Sequence, residues 1–274
     1  MTQRNDETEA GHPSTTPDRL RELARHAQAE VRLRVGGNRS APGEVLADLA
    51  CDAAPMVRLM VAGNEQTPAR VLASLADDTD PYVREMVGGN PNTPREVLTR
   101  LAQDPYWVVR RDVAWNPQTS PELLVVLARD KNDQVRAQAL INVHLPPSEL
   151  VIYARSRNRH VRNQVALNPN MPEPVLRALA RDPAAEVRNA VAQNTRATAD
   201  ILRALSCDPT AQVRAHVAQH PMTPSKVLQA LQQDSDPSVR AATQWVAQHL
   251  VDDEAVLTDH TRFDWELEPR DGWT

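Results

Sequence analysis

The chain has 274 residues, a net charge of −5, nine aromatic residues, 22 prolines and eight glycines. So few large rings exclude one big aromatic-anchored core, and many prolines with few glycines exclude a hairpin-rich β protein and point to punctuated helices. Residues 1–14 carry −2, residues 247–274 carry −6 and the body between them +3, which excludes a strongly basic nucleic-acid binder but leaves room for a local basic patch.

The first 14 residues, MTQRNDETEAGHPS, are polar and lack the apolar stretch of a secretory signal; they read as a disordered lead. No apolar run approaches the roughly 18 residues of a membrane span, so the chain reads as cytoplasmic with no membrane partner. Its two cysteines, Cys51 and Cys207, are too few and too far apart for a disulfide scaffold or a zinc cluster, and no cofactor or metal is expected.

From residue 15 the sequence repeats with a period of 26. Val-Arg recurs nine times, with the arginines at Arg32, Arg58, Arg84, Arg110, Arg136, Arg162, Arg188, Arg214 and Arg240. Leucine keeps the same beat from Leu20 to Leu228, and asparagine from Asn38 to Asn194 until His220 interrupts it. In the fourth repeat, residues 91–116, Thr93-Pro94 with Glu96 reads as an N-cap, a first-turn proline and a capping-box carboxylate. Val97, Leu98, Leu101 and Ala102 form one apolar stripe, and Asp104-Pro105 starts a second helix carrying Val109, Val113 and Ala114. Asn116-Pro117 ends it, since asparagine tolerates a left-handed cap. Each unit is thus a first helix of about ten residues and a shorter second one. Neither helix buries its stripe alone, so successive units must stack. The expected architecture is an all-helical solenoid of nine 26-residue two-helix repeats over residues 15–251. Arg19 gives the first repeat a polar outer face, and a longer closing helix runs through Trp245 to Val251.

The pattern NPxTPxxVLxxLAxDPxxxVRxxVAxN resembles the leucine-rich repeat variant family of bacteria over residues 15–246. The resemblance implies alternating α- and 3₁₀-helices in a right-handed superhelix without β-strands, similar in logic to HEAT-type repeats. The period here is slightly longer than the family's usual one, which leaves room for a true α-helix as the second segment. One type of family member carries an N-terminal cysteine cluster for an iron–sulfur centre; no cysteine precedes Cys51, so no iron–sulfur cluster is carried over.

The nine repeat arginines, each six residues after a frequent aspartate, read as a structural ladder of Arg–Asp or Arg–carbonyl contacts between units. Variation at the start of the second helix marks the candidate partner-binding rim. Tyr82, Tyr106 and Trp107 stand there in the third and fourth repeats, as interface anchors or packed under a neighbouring loop. Trp115, in a glycine column, reads as a packing residue. In the sixth repeat Ser156 replaces the usual aspartate, and Arg155, Arg157, Arg159 and His160 gather near a helix N-terminus, as an anion site or as a solvated turn. His216 and His220 have metal-like spacing but no third ligand. Residues 252–274 read as an acidic flexible tail, with Asp264, Trp265, Glu266 and Glu268 able to fold back on the basic rim. There is no glycine-rich phosphate loop, nucleophile elbow or Ser–His–Asp set. The expected function is a non-enzymatic scaffold that binds a protein partner through its groove or rim. The alternative is a nucleic-acid-binding, HEAT-like solenoid, suggested by 29 arginines against two lysines.

Overall fold

The computed structural model describes residues 2–250, and all its regular elements among them are helices. The chain divides into two compact units, residues 1–179 and 180–274. The first unit holds α1 (Thr2–Gly11), α2 (Pro17–Leu23), α3 (Ala29–Gly36), α4 (Gly43–Leu49), α5 (Pro55–Gly63), α6 (Ala69–Leu75), α7 (Pro81–Gly89), α8 (Arg95–Leu101), α9 (Trp107–Trp115), α10 (Pro121–Leu127), α11 (Asp133–Ile141), α12 (Pro147–Tyr153), α13 (Arg159–Leu167) and α14 (Glu173–Leu179). The second holds α15 (Ala185–Gln193), α16 (Ala199–Leu205), α17 (Ala211–Gln219), α18 (Ser225–Leu231) and α19 (Pro237–Leu250). The expected Val251 end of the closing helix and the expected acidic tail, 252–274, lie outside the described residues.

Within the first unit the second helices α3, α5, α7, α9, α11 and α13 stack directly on one another, and within the second unit α15, α17 and α19 do the same. In the first unit the first helices α2 to α12 each wedge against the second helix of their own repeat, and most against the preceding one too, while α14 packs on α13. Leu72, Leu98, Val83 and Val109 are fully buried at these contacts. Each unit is therefore a stack of α-helical repeats whose core is shared between neighbours.

Three local expectations are corrected. The first helices have seven residues, and the second ones mostly nine. The last turn of the first helix tightens, as when Asp52 N donates to Leu49 O at 3.1 Å, which swings the aspartate toward the next helix. Thr93 is not an N-cap: its hydroxyl donates backward to Val87 O at 2.6 Å, and Pro94 is the extended capping residue. Asn116 is not left-handed but extended, at φ −61° and ψ 131°. The asparagine is needed for its side chain, because a buried carbonyl left without a donor is costly.

That side chain ties repeat to repeat. Asn116 Nδ2 donates to Gly88 O at 2.7 Å and to Asn90 O at 2.8 Å, and its Oδ1 accepts from Gln118 N. Asn38, Asn64, Asn90 and Asn168 make the same three bonds one period apart. In the second unit His220 replaces the asparagine without breaking the line. Its Nε2 lies 3.0 Å from Asn194 O and its Nδ1 accepts from Met222 N.

A second ladder runs along the other end of these helices. Arg84 bonds both carboxylate oxygens of Asp104 in the next repeat, at 2.7 and 3.1 Å, and Asp78 O in its own repeat at 2.7 Å. Arg32, Arg58 and Arg110 in the first unit, and Arg188 and Arg214 in the second, reach the aspartate 20 residues on in the same bidentate way. All nine arginines bond the carbonyl six residues before them. Hydrogen bonds from Arg32 and Arg110 hold the Asp52 and Asp130 carboxyls below the usual range. Burial pushes Asp78 the other way, yet Arg58 and the Asp80 amide outweigh it. Where Ser156 interrupts the aspartates, Arg136 pairs with Asp133 of its own repeat instead.

The amino-terminal lead, expected to be disordered, is helical over Thr2–Gly11 and stacks on α3. It is a half repeat. Ala10 O and His12 O accept from Asn38, and Thr15 bonds Glu9 O, just as Thr67 bonds Val61 O two periods later. Asp6 stands in the arginine column and pairs with Arg19 at 2.7 Å, so the ladder begins on a charge of opposite sign. The helix orders because it supplies the acceptors that Asn38 would otherwise lack.

Two outcomes follow. Asn116→Ala removes the donor to the buried Gly88 O, one of two donors to Asn90 O and the acceptor of the part-buried Gln118 N, and is expected to cost roughly 2–3 kcal/mol in urea unfolding. Asn116→Asp, without donors, is expected to be no better, whereas Asn116→His keeps more stability because histidine already serves in this column; equal losses for all three would reject the ladder. Burial holds the His220 imidazole below its usual pKa, so the unfolded chain takes up the proton first. Its contribution is then complete above about pH 6.5 and is lost as pH falls toward the depressed folded value. His220→Asn is expected to shrink the stability difference between about pH 7.5 and 5.5; an unchanged difference would sink this assignment.

Candidate functional site

With both ends and the inner stripe of each second helix committed to stacking, only the outward positions are free to carry function. Tyr82 is the second residue of α7 and is 62% exposed; Tyr106 caps α9, and Trp107 opens it, 39% exposed. The Arg84 guanidinium of the ladder lies 5.6 Å from the Tyr106 ring centroid, and Arg111 lies 5.6 Å from that of Trp107. Trp115, expected to pack, instead stands 59% exposed at the last turn of α9. Its column is glycine in the two preceding repeats, Gly63 and Gly89, so the structure there supplies no inward pocket for a ring.

Trp107, Arg111 and Trp115 are spaced four apart, so they share one face of α9. Arg111 bonds Asp112 at 2.6 Å on its own helix and Glu85 of α7 at 2.9 Å. Glu85 is the more buried partner, with 14% of its side chain exposed. Burial and the neighbouring Asp112 charge push its carboxyl above the usual range, and Arg111 only partly offsets them. Beside Glu85, Met86 borders a hollow of about 230 Å³ lined also by Leu59, Met60, Gly37 and Gly63.

The basic residues form a separate patch. Arg155, Arg157, Arg159 and His160 are exposed around the turn from α12 to α13. Asn158 caps α13 through the His160 amide, and Arg162 bonds the carbonyls of Ser156 and Arg157. The stack places α11 between α9 and α13. At about 10 Å per stacked helix, the aromatic and basic patches lie some two steps apart, so the structure brings the three predicted aromatics together but not with the four basic residues. Sequence reasoning missed Glu85, Arg111 and Asp112. They sit in columns that vary between repeats, although the four-residue spacing of Trp107, Arg111 and Trp115 was a usable signal.

The histidine pair is not a chelate. His220 Nε2 and Nδ1 are both spent on the asparagine line, and His216 Nδ1 contacts Asn189 Oδ1 at 2.7 Å. Among the described residues, no group of three or more His, Cys, Asp or Glu side chains is arranged to hold a metal ion, and no helix is long and apolar enough to cross a membrane. Cys51 and Cys207 are free and exposed.

The leucine rich repeat variant family model matches residues 81–105 and 159–184. The solved structure of a leucine-rich repeat variant with a novel repetitive protein structural motif is 29% identical over 81% of this chain and 87% of that one, at a TM-score of 0.53. The two matched repeats and this solved structure show that the chain is similar to the leucine-rich repeat variant family. An archaeal HEAT-like repeats protein from Thermococcus onnurineus NA1 is 14% identical over 86% of this chain and 97% of that one, at a TM-score of 0.31. No curated protein sequence matches significantly. In this chain the second segment of the repeat is a nine-residue α-helix, where the family resemblance implied a 3₁₀-helix. Its extra length is what spaces Trp107 and Trp115 along a common face.

Proposed function

We propose that the protein is a non-enzymatic scaffold that holds a protein partner on the outward face of α7 and α9. One observation carries this reading: four of the nine aromatic residues, Tyr82, Tyr106, Trp107 and Trp115, stand 39–62% exposed on these two adjacent helices. Large rings left in water by a chain so poor in them are the usual anchors of an interface. The stacked repeats present them on a rigid backbone, so little ordering entropy opposes binding. Cys51 and Cys207, as free exposed thiols, suit a reducing compartment, and the reading includes a bacterial cytoplasm as the setting.

Nucleic acid is the second reading, supported by the exposed Arg155, Arg157, Arg159 and His160 at the α12–α13 turn. It predicts a gel shift that weakens steeply as salt rises through about 150 mM. For the scaffold, the test is in-cell crosslinking followed by mass spectrometry of wild type, Trp107→Ala and Arg159→Ala. Trp107→Ala is expected to lose the specific partners and Arg159→Ala to keep them. Recovery of identical partners by all three would place the binding surface elsewhere.

A further inference from the structure

The face that carries the aromatics also carries an excess of negative charge. The charged groups there are Glu85 on α7, Arg111 with Asp112 on α9, and Arg39 with Glu65 at the hollow beside Met86, three carboxylates to two guanidinium groups. From α11, Asp133 and Arg136 pair with each other and add no net charge. Asp112 is uncovered from the α7 side because the facing residue is Gly89, where a Cβ would already come within 3.7 Å of Asp112 Oδ2. Trp115 stands one turn beyond Asp112, and no cation lies over its ring among the described residues, whereas Trp107 already has Arg111. Next along the row, Met60 and Met86 border the 230 Å³ hollow, and thioethers adapt to varied apolar side chains.

We infer that this face takes a segment of a partner protein bearing an arginine or lysine, its cationic group seated against Asp112 and the Trp115 ring and its neighbouring apolar side chain over Met86 and Met60. The inference rests on the scaffold reading and specifies the partner's chemistry. Three features select a cation. The carboxylates lack one countercharge, Trp115 offers a free aromatic face, and Arg111 shows the geometry by laying its own guanidinium over Trp107. An acidic segment or a nucleic-acid backbone meets uncompensated negative charge here and is disfavoured. The apolar hollow supplies what a purely electrostatic contact lacks, a side-chain-sized place to exclude water.

The test uses the full chain and fluorescence anisotropy of three labelled probes: a peptide alternating arginine and leucine, its glutamate–leucine counterpart, and duplex DNA. The arginine–leucine peptide is expected to bind and the other two are not. Trp115→Ala and Asp112→Asn are each expected to weaken the peptide by about tenfold, the scale of one cation–aromatic or charge contact. Arg111→Gln, measured at about pH 8 so that the carboxylates stay ionised, is expected to tighten it. Opposite signs for Asp112→Asn and Arg111→Gln do not arise from general loosening of the fold, and Trp115 is exposed enough to be removed without unfolding. Equal binding of the acidic peptide, preference for DNA, or unchanged peptide affinity in Trp115→Ala and Asp112→Asn would overturn the inference. If peptide binding fails while Trp107-dependent partner capture persists, the cationic partner is rejected and the scaffold stands; if both fail, both are rejected.

Discussion

Each repeat leaves backbone carbonyls and a carboxylate whose hydrogen bonding the next or the preceding repeat completes. Asn90 O and Gly88 O wait for Asn116, and Asp104 waits for Arg84. These groups sit at the two ends of the second helix, so they fix its height and its rotation relative to its neighbour. The buried leucines and valines supply the apolar driving force, but they are non-directional. The two ladders turn a collapse of similar stripes into a register. Leaving any rung unmade costs the desolvation of a buried polar group, which is why the same residue types return every 26 positions.

The same commitment explains where function can reside. Val83, Val87, Gly88 and Asn90 on α7 face the stack, and Arg84 is held by Asp104 and Asp78 O. On α7 Pro81, Tyr82, Glu85, Met86 and Gly89 remain to meet a partner, and the corresponding positions on α9 are Trp107, Val108, Arg111, Asp112 and Trp115. Variation is therefore concentrated where it does not disturb the stack. The sixth repeat shows the limit of tolerance: with Ser156 in place of aspartate, Arg136 turns back to Asp133, and Val161 is part-exposed where the equivalent Val135 is buried.

Much of the stack was legible in the sequence, because the Val-Arg and Asn columns are periodic and the periodicity follows from the rungs. What the asparagine does was not legible: a helix-terminal Asn followed by Pro fits a left-handed cap equally well by type, and only the extended backbone at Asn116 shows that its amide reaches the previous repeat. The amino-terminal half repeat was hidden because Asp6 replaces arginine and His12 replaces asparagine, although Ala10 and Thr15 keep their columns. The candidate site was half legible. Tyr82, Tyr106 and Trp107 stand out as departures from small residues, whereas the Glu85–Arg111 pair joins two variable positions one period apart. Without the stacking geometry, nothing marks two such residues as neighbours.

The central claim is that directional bonds between repeats, rather than apolar contact alone, hold the register. It is tested most directly by a double-mutant cycle on Arg110 and Asp130, a rung with side chains 5% and 11% exposed. Urea unfolding of wild type, Arg110→Gln, Asp130→Asn and the double variant isolates their coupling. A coupling of about 2 kcal/mol is expected for a bidentate, largely buried pair. Strictly additive losses would show that the two repeats are held together without the rung and would contradict the account.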